Sequence, residues 1–239
     1  MNAPIAARAA MLLLAALAAD QACAQQGGYP SKPIRIIASF APGSSLDIIA
    51  RILGPKLSES MGQPVVVENR PGAGGLLGTD VAAKATPDGH TLLLGIAATH
   101  AIQTALGQKL PYDVVKDFEP VGQISTGVIA VAVAASLPAA NLKDFIEHAR
   151  ANPGKISYGT GGHASGGHLV GEGLSAIAGI KMVHVPYKGG NPAFTDLLGG
   201  QVHAVMTDTT TTGTFNKSGK IRVIAVAGPR RSPAFPDVP

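Results

Sequence analysis

The sequence predicts an α/β protein with two sheets, each flanked by helices. Short continuous apolar runs alternate with segments of helical period through most of the chain, which is how buried strands and the helices covering them read. Two glycine-rich turns, FAPGSSLD at residues 40–47 and YGTGGHAS at residues 158–165, each follow such a run and open a helical pattern. The alternation restarts after the long apolar run at 128–135, so the elements fall into two sets.

In order, residues 34–38, 65–68 and 91–95 are the strands of the first set. Between the first two, a helix from Leu46 places Leu46, Ile49, Ala50 and Leu53 on one face, and Gly54-Pro55 should kink or interrupt it. Asp47 near its start complements the helix dipole. The second set reads as helix 142–151, strand 156–158, helix 165–178, strand 182–185, helix 192–198, strand 203–207, a helix near 210–217 and strand 221–227. Within 165–178, Val170, Leu174, Ile177 and Ala178 are expected to share the face that docks on the sheet.

Residues 1–24 read as a secretory leader rather than as part of the fold. Arg8 supplies the charged start, residues 9–19 an apolar stretch too short to span a bilayer, and Ala22-Cys23-Ala24 a small-x-small cleavage site. Asp20-Gln21-Ala22 is a poor lipidation context for Cys23. Cys23 is the only cysteine, so the mature chain would carry no disulfide, cysteine nucleophile or thiolate ligand, which suits a bacterial periplasm. The net charge of +4 comes from scattered residues, and with no tryptophan and no basic stripe there is no nucleic-acid footprint.

The chemistry sits in the turns. The first N–H groups of a helix lack intrahelical partners and carry the positive end of the macrodipole, so a carboxylate or phosphate settles there. Two such turns suggest one anion site shared by two lobes. GAGGLLG at 72–78 has the wrong glycine spacing for a dinucleotide fingerprint, with Leu77 where the third glycine belongs. HASGG at 163–167 resembles a nucleophile elbow, yet His163 occupies the first glycine position, and Ser165 reads as an N-cap or ligand donor. His163, His168, His184 and His203 lack metal-motif spacing and read as capping or core residues. No cofactor and no metal are expected.

The strings VVVENRPGAGGLLGTDVAAKATPDGHTLLLG, LPYDVVKDFEPVGQI, NPGKISYGTGG, MVHVPYKGGNPAFTDLLGGQV and RSPAFPDVP, in this order and spacing, make the chain resemble the periplasmic solute-binding proteins of the tripartite tricarboxylate transporter family, the Bug receptors. The resemblance implies a type II periplasmic-binding fold of two lobes, 25–128 and 129–239, closing around a small organic anion. Family ligands include di- and tricarboxylates, acidic amino acids and aromatic carboxylates. Carried over by position, Phe40, Pro42, Gly43, Ser44 and Asp47 form the first ligand loop, and Thr160, Gly162, Ser165 and His168 the second. Ala98, Thr99, His100 and Asp208 line the rest, with a helix cap the competing role for Asp208. Lys188 is placed near the cleft, either adding charge to it or solvated.

The family pattern departs at Ser44, which adds a Cβ where a glycine is usual, at Leu46, which removes a hydroxyl, and at Ala164, which replaces a glycine. Family members also continue past the PDVP segment, so the resemblance implies a C-terminally truncated first lobe with a single inter-lobe crossing. The implied partners are the small anion and membrane transporter subunits. A sensor domain read without transport and a secreted serine hydrolase using Ser165 are the competing classes.

Overall fold

A computed structural model describes residues 28–239; the expected leader lies outside the described residues. The first sheet has strands β1 (Ile34–Ala38), β2 (Val65–Asn69) and β3 (Thr91–Leu93) in the order β2-β1-β3, all parallel. The second contains β4 (Ile129–Ala134), β5 (Ile156–Thr160), β6 (Met182–Pro186), β7 (Ala204–Asp208) and β8 (Ile221–Ala227), ordered β6-β5-β7-β4-β8. In it β5 runs parallel to β6 and β7, while β4 is antiparallel to both β7 and β8. Helices α1 (Ser45–Met61) and α2 (Leu76–Ala83) belong to the first unit. Helices α3 (Leu142–Ala151), α4 (Gly166–Ala178), α5 (Gly190–Leu198) and α6 (Thr209–Asn216) belong to the second.

Each helix forms for local reasons. Ser44 and Ser165 cap α1 and α4 in extended backbone, and Gly62 and Gly179 close them in left-handed conformation. Asn141 caps α3 through Asp144 N–H, and Asp208 caps α6 through Thr211 N–H. The face of α1 bearing Leu46, Ile49, Ala50 and Leu57 packs on Ile36, Ala38 and Leu94 of the first unit. In the second unit Phe145, Tyr158 and Met206 are fully buried on one side of the sheet and Phe194, Leu197 and Val205 on the other. Each such aromatic or aliphatic side chain contributes about 1.5–3 kcal/mol on burial.

Where strand and helix ends differ from the sequence expectation they do so by one or two residues, the ordinary scatter of fraying ends. Two differences have physical causes. The first helix runs unbroken through Pro55, which is exposed, so the bond that its missing N–H forfeits lies on the solvent side, where water serves the free carbonyl. Ile177 does not join the docking face of α4: it is 91% exposed. That face is set by glycine, since a Cβ on Gly167 would lie 1.9 Å from Met206 O and one on Gly171 would lie 2.2 Å from the Tyr158 ring. Val170, Leu174 and Ala178 flank this close approach and pack on the core. Among the described residues, no helix is long and apolar enough to cross a membrane.

Candidate functional site

A cleft of about 830 Å³ opens between the two units. The first unit lines it with Phe40, residues 44–46, Ile49, residues 93–98, His100 and Ile102. The connection contributes residues 122–127, and the second unit Ile129, Gly161, residues 165–167, Gly189, Gly190, residues 206–208 and Thr210. The N-termini of α1, α4, α5 and α6 therefore all meet one space.

The same cap is built at two of them. Ser44 Oγ accepts Asp47 N–H at 3.5 Å, and Asp47 Oδ2 accepts Gly43 N–H at 2.8 Å. At α4, Ser165 Oγ accepts His168 N–H at 3.3 Å, and His168 Nδ1 accepts Ala164 N–H at 3.2 Å. Each is a reciprocal capping box whose side-chain return bond lands one residue early, on the residue before the N-cap. Ile48 N–H and Leu169 N–H are the first to bond within their helices, to Ser44 O and Ser165 O. The N–H groups of Ser45, Leu46, Gly166 and Gly167 are left with no acceptor among the described residues, and all four residues line the cleft. At α6, Thr209 N–H goes to Val128 O and Thr211 N–H to Asp208 Oδ1, which leaves Thr210 N–H in the same condition. Five free donors and several dipole ends over one cavity, with no lysine or arginine in its lining, make a site that would hold an anion through backbone.

Of the residues singled out from sequence, Phe40, Ser44, Ala98, His100, Ser165 and Asp208 line the cleft, whereas Pro42, Gly43, Asp47, Thr99, Thr160, Gly162 and His168 do not. Asp47, only 4% exposed, holds the first loop: besides Gly43 it takes Arg51 Nε at 3.0 Å, and Asn69, within reach of Arg51, donates to Phe40 O at 3.1 Å. Burial would raise the Asp47 pKa, but the bonds from Arg51, Gly43 and Asn69 outweigh it and hold the carboxyl below its usual range. Asp208 both caps α6 and faces the cleft, its carboxylate also taking Thr211 Oγ1 at 3.0 Å. Burial lowers the His100 pKa, so this ring meets the cleft as a neutral imidazole, with Nδ1 2.9 Å from Thr99 Oγ1. The Lys188 side chain does not line the cleft; its carbonyl accepts Ala41 N–H at 3.1 Å.

Behind the second loop, His168 stacks on His184 with ring centroids 4.0 Å apart, and His163 stands edge-on to both. The three offer nitrogens within 4.8 Å of one another. Two of those rings have nitrogens already engaged: His168 Nδ1 by Ala164 N–H, which places its proton on Nε2, and His184 Nε2 by Thr160 Oγ1 at 2.7 Å. Metal–nitrogen bonds of about 2.0–2.1 Å would require these rings to move and the loop bond to break. Desolvation, then the neighbouring histidines, pushes His184 down to about 4 and lowers His168 as well, so these two rings are neutral near pH 7. Ser165 Oγ is engaged by the backbone N–H of His168, and no histidine ring is hydrogen-bonded to it among the described residues.

The sequence reading missed Ser45, Gly166, Gly167, Gly190, Thr210 and the segment 122–127 as cleft residues. The first three were legible, because capping rules leave the N–H groups of the first two helical residues free. The segment 122–127 carries no periodicity that would place it.

The model of the family described as the tripartite tricarboxylate transporter family receptor matches residues 49–239. Protein BugT of Bordetella pertussis is 38% identical over 212 residues, covering 88% of this chain and 65% of its own length. A UPF0065 protein of Cupriavidus necator is 37% identical, covering the whole of this chain and 71% of its own. Among solved structures, a periplasmic transporter is 44% identical with a TM-score of 0.85, over 89% of this chain and 71% of that one. A Rhodopseudomonas palustris protein solved with adipate is 32% identical with a TM-score of 0.85, over 88% and 71%. MatC of the same organism, solved with bound malate, is 29% identical with a TM-score of 0.82, over 88% and 72%. The match over residues 49–239, and relatives at this identity along nearly all of the described fold, show that the chain belongs to the tripartite tricarboxylate transporter receptor family.

Proposed function

We propose that this chain is a non-catalytic periplasmic receptor that captures a small organic carboxylate in the cleft and delivers it to a membrane transporter of the tripartite type. The observation that carries this reading is the set of free N–H donors of Ser45, Leu46, Gly166, Gly167 and Thr210 on one cavity. A carboxylate satisfies such donors without a buried cationic side chain. The two R. palustris proteins solved with adipate and malate supply the ligand class to test. On this reading residues 1–24 direct export and the mature chain begins near Gln25, with lobes dividing near residue 128.

Titration calorimetry of the mature chain with malate, adipate, succinate, citrate and benzoate tests the proposal. Stoichiometric binding of at least one acid is expected, with no turnover of ester substrates. A Ser165→Ala variant should bind several-fold more weakly, through loss of the hydroxyl and loosening of the α4 cap. Uniform absence of binding, or ester hydrolysis abolished by that substitution, would overturn it. Intact-mass analysis of periplasmic material should show the leader removed.

A further inference from the structure

On the carboxylate-receptor reading, the cleft must open to admit its ligand, and something must hold it shut. The first ligand loop touches the second unit through two hydrogen bonds on one rim. Ala41 N–H donates to Lys188 O at 3.1 Å, and Asn191 Nδ2 donates to Pro42 O at 3.2 Å. Both join residues nearly 150 positions apart, and both sit beside Phe40, Ser44, Gly189 and Gly190, which line the cleft. Gly43 makes the room: its φ is +78°, and a Cβ there would lie 2.0 Å from Asn191 Nδ2.

We propose that Asn191 is the latch of the closed cleft, a positioning residue that ties the first ligand loop to the N-terminus of α5 and slows ligand escape. Its side chain does little for the second unit itself. Neither the N-cap Gly189 nor any acidic residue in the first turn caps α5 through a side chain, and Asn191 Oδ1 is buried with no partner. The only side-chain hydrogen bond of Asn191 among the described residues crosses to Pro42. Its amide orientation is fixed by that contact, since Pro42 O can only accept. A residue serving α5 alone would be aimed at the helix.

The isosteric variant Asn191→Asp separates the two roles. It turns the donor into a carboxylate facing Pro42 O, yet a negative charge in the first turn of α5 favours that helix. The expected result is an unchanged or raised Tm, together with a fall of about fivefold or more in hydrogen-exchange protection of the Ala41 amide and no change within α5. With malate or adipate as probe, affinity should fall by a similar factor through faster dissociation. Asn191→Ala should show the same pattern more mildly. Wild-type Ala41 protection in both variants, or a loss of Tm matching the loss of affinity, would overturn the latch. If none of the five acids binds the wild-type chain, the carboxylate reading fails, while Ala41 protection still decides the latch.

Discussion

The two serine-capped loops at the cleft solve one problem with different chemistry. Both place a serine at the N-cap and return a side chain from the third helical residue to the N–H group before the cap. In the first loop the returning group is the Asp47 carboxylate, buried, paired with Arg51 and held below its usual pKa range. In the second it is a neutral imidazole, His168, in a stack of histidines. A carboxylate makes the stronger bond and stays in its bonding form through the physiological range; an imidazole bonds more weakly and works only while unprotonated. The first loop should therefore be the rigid half of the site and the second the conditional half.

Removing each returning group should break that comparison most sharply. Asp47→Ala leaves Gly43 N–H without its acceptor and Arg51 without its partner, and should cost about 2–3 kcal/mol, as hydrogen bonds to charged groups do when buried. Little of that comes from the ion pair itself, because Arg51 is more than half exposed. His168→Ala forfeits one neutral hydrogen bond and should cost about 1 kcal/mol before any loss of ring stacking. Urea denaturation of the two variants measures the difference; equal losses would mean that the charge of Asp47 adds nothing to its cap.

Acidification should sharpen it. Desolvation, with the charge of His163 adding to it and Glu172 opposing, lowers the His168 pKa in the fold, and His184 falls from 6.5 to about 4. A histidine with a depressed folded pKa is protonated first in the unfolded chain. Stability is thus full above about pH 6.5 and declines as pH falls toward 4. Both rings are partly accessible, so a loss of about 1–2 kcal/mol is expected over that window, less than an unscreened shift would give. Asp47 adds little to this pH dependence, because a carboxyl with a lowered pKa keeps its stabilisation above its ordinary value of 3.8 and loses it as pH falls below that value. Hydrogen exchange at pH 5 should open the amides of 164–169 before those of 43–48. Simultaneous opening would contradict the assignment of the conditional half.

How much of this was legible in the sequence depends on whether the signal was local. Strands β1 and β8 and helix α3 stand with the bounds their apolar runs and caps give, because burial and capping are written within each segment. The face of α4 was misread at Ile177 because the contact there is made by Gly167 and Gly171, whose role is the absence of a side chain. Apolar periodicity has no means of counting it. The site follows the same rule: Ser44, Ser165 and Asp208 are visible as cap residues after strands, while the reach of Asn191 to Pro42 and the wall made by 122–127 depend on folding distant segments together.

A smaller expected effect compares the two N-caps directly. Both serines accept their N3 amide, at 3.3 Å for Ser165 and 3.5 Å for Ser44; Ser165→Ala should cost about 1 kcal/mol, whereas Ser44→Gly should cost only a few tenths because glycine is itself tolerated at an N-cap. The ligand response of Ser44→Gly remains a separate measurement. If the Ser44 Cβ crowds a dicarboxylate, calorimetry should show tighter binding in the glycine variant; weaker binding would make its hydroxyl a donor.

The smallest effect is at Ala164, where the second loop turns through φ +53° without a glycine. A left-handed conformation costs a residue with a Cβ about 1–2 kcal/mol, and the first loop avoids this by using Gly43 at φ +78° for its turn. Ala164→Gly removes that strain but adds conformational freedom to the unfolded chain worth about 0.4–1 kcal/mol. Nothing is lost in packing beyond one buried methyl group, worth about 0.8 kcal/mol at most. The three terms nearly cancel, so the expected change in stability is within about 0.5 kcal/mol of zero. What should change is local: hydrogen exchange at 163–166 should speed up relative to 43–46, since glycine leaves the loop more conformations once the helix cap opens. A Tm drop of many degrees in Ala164→Gly would show that the methyl group, and not the turn, is what the second loop needs there.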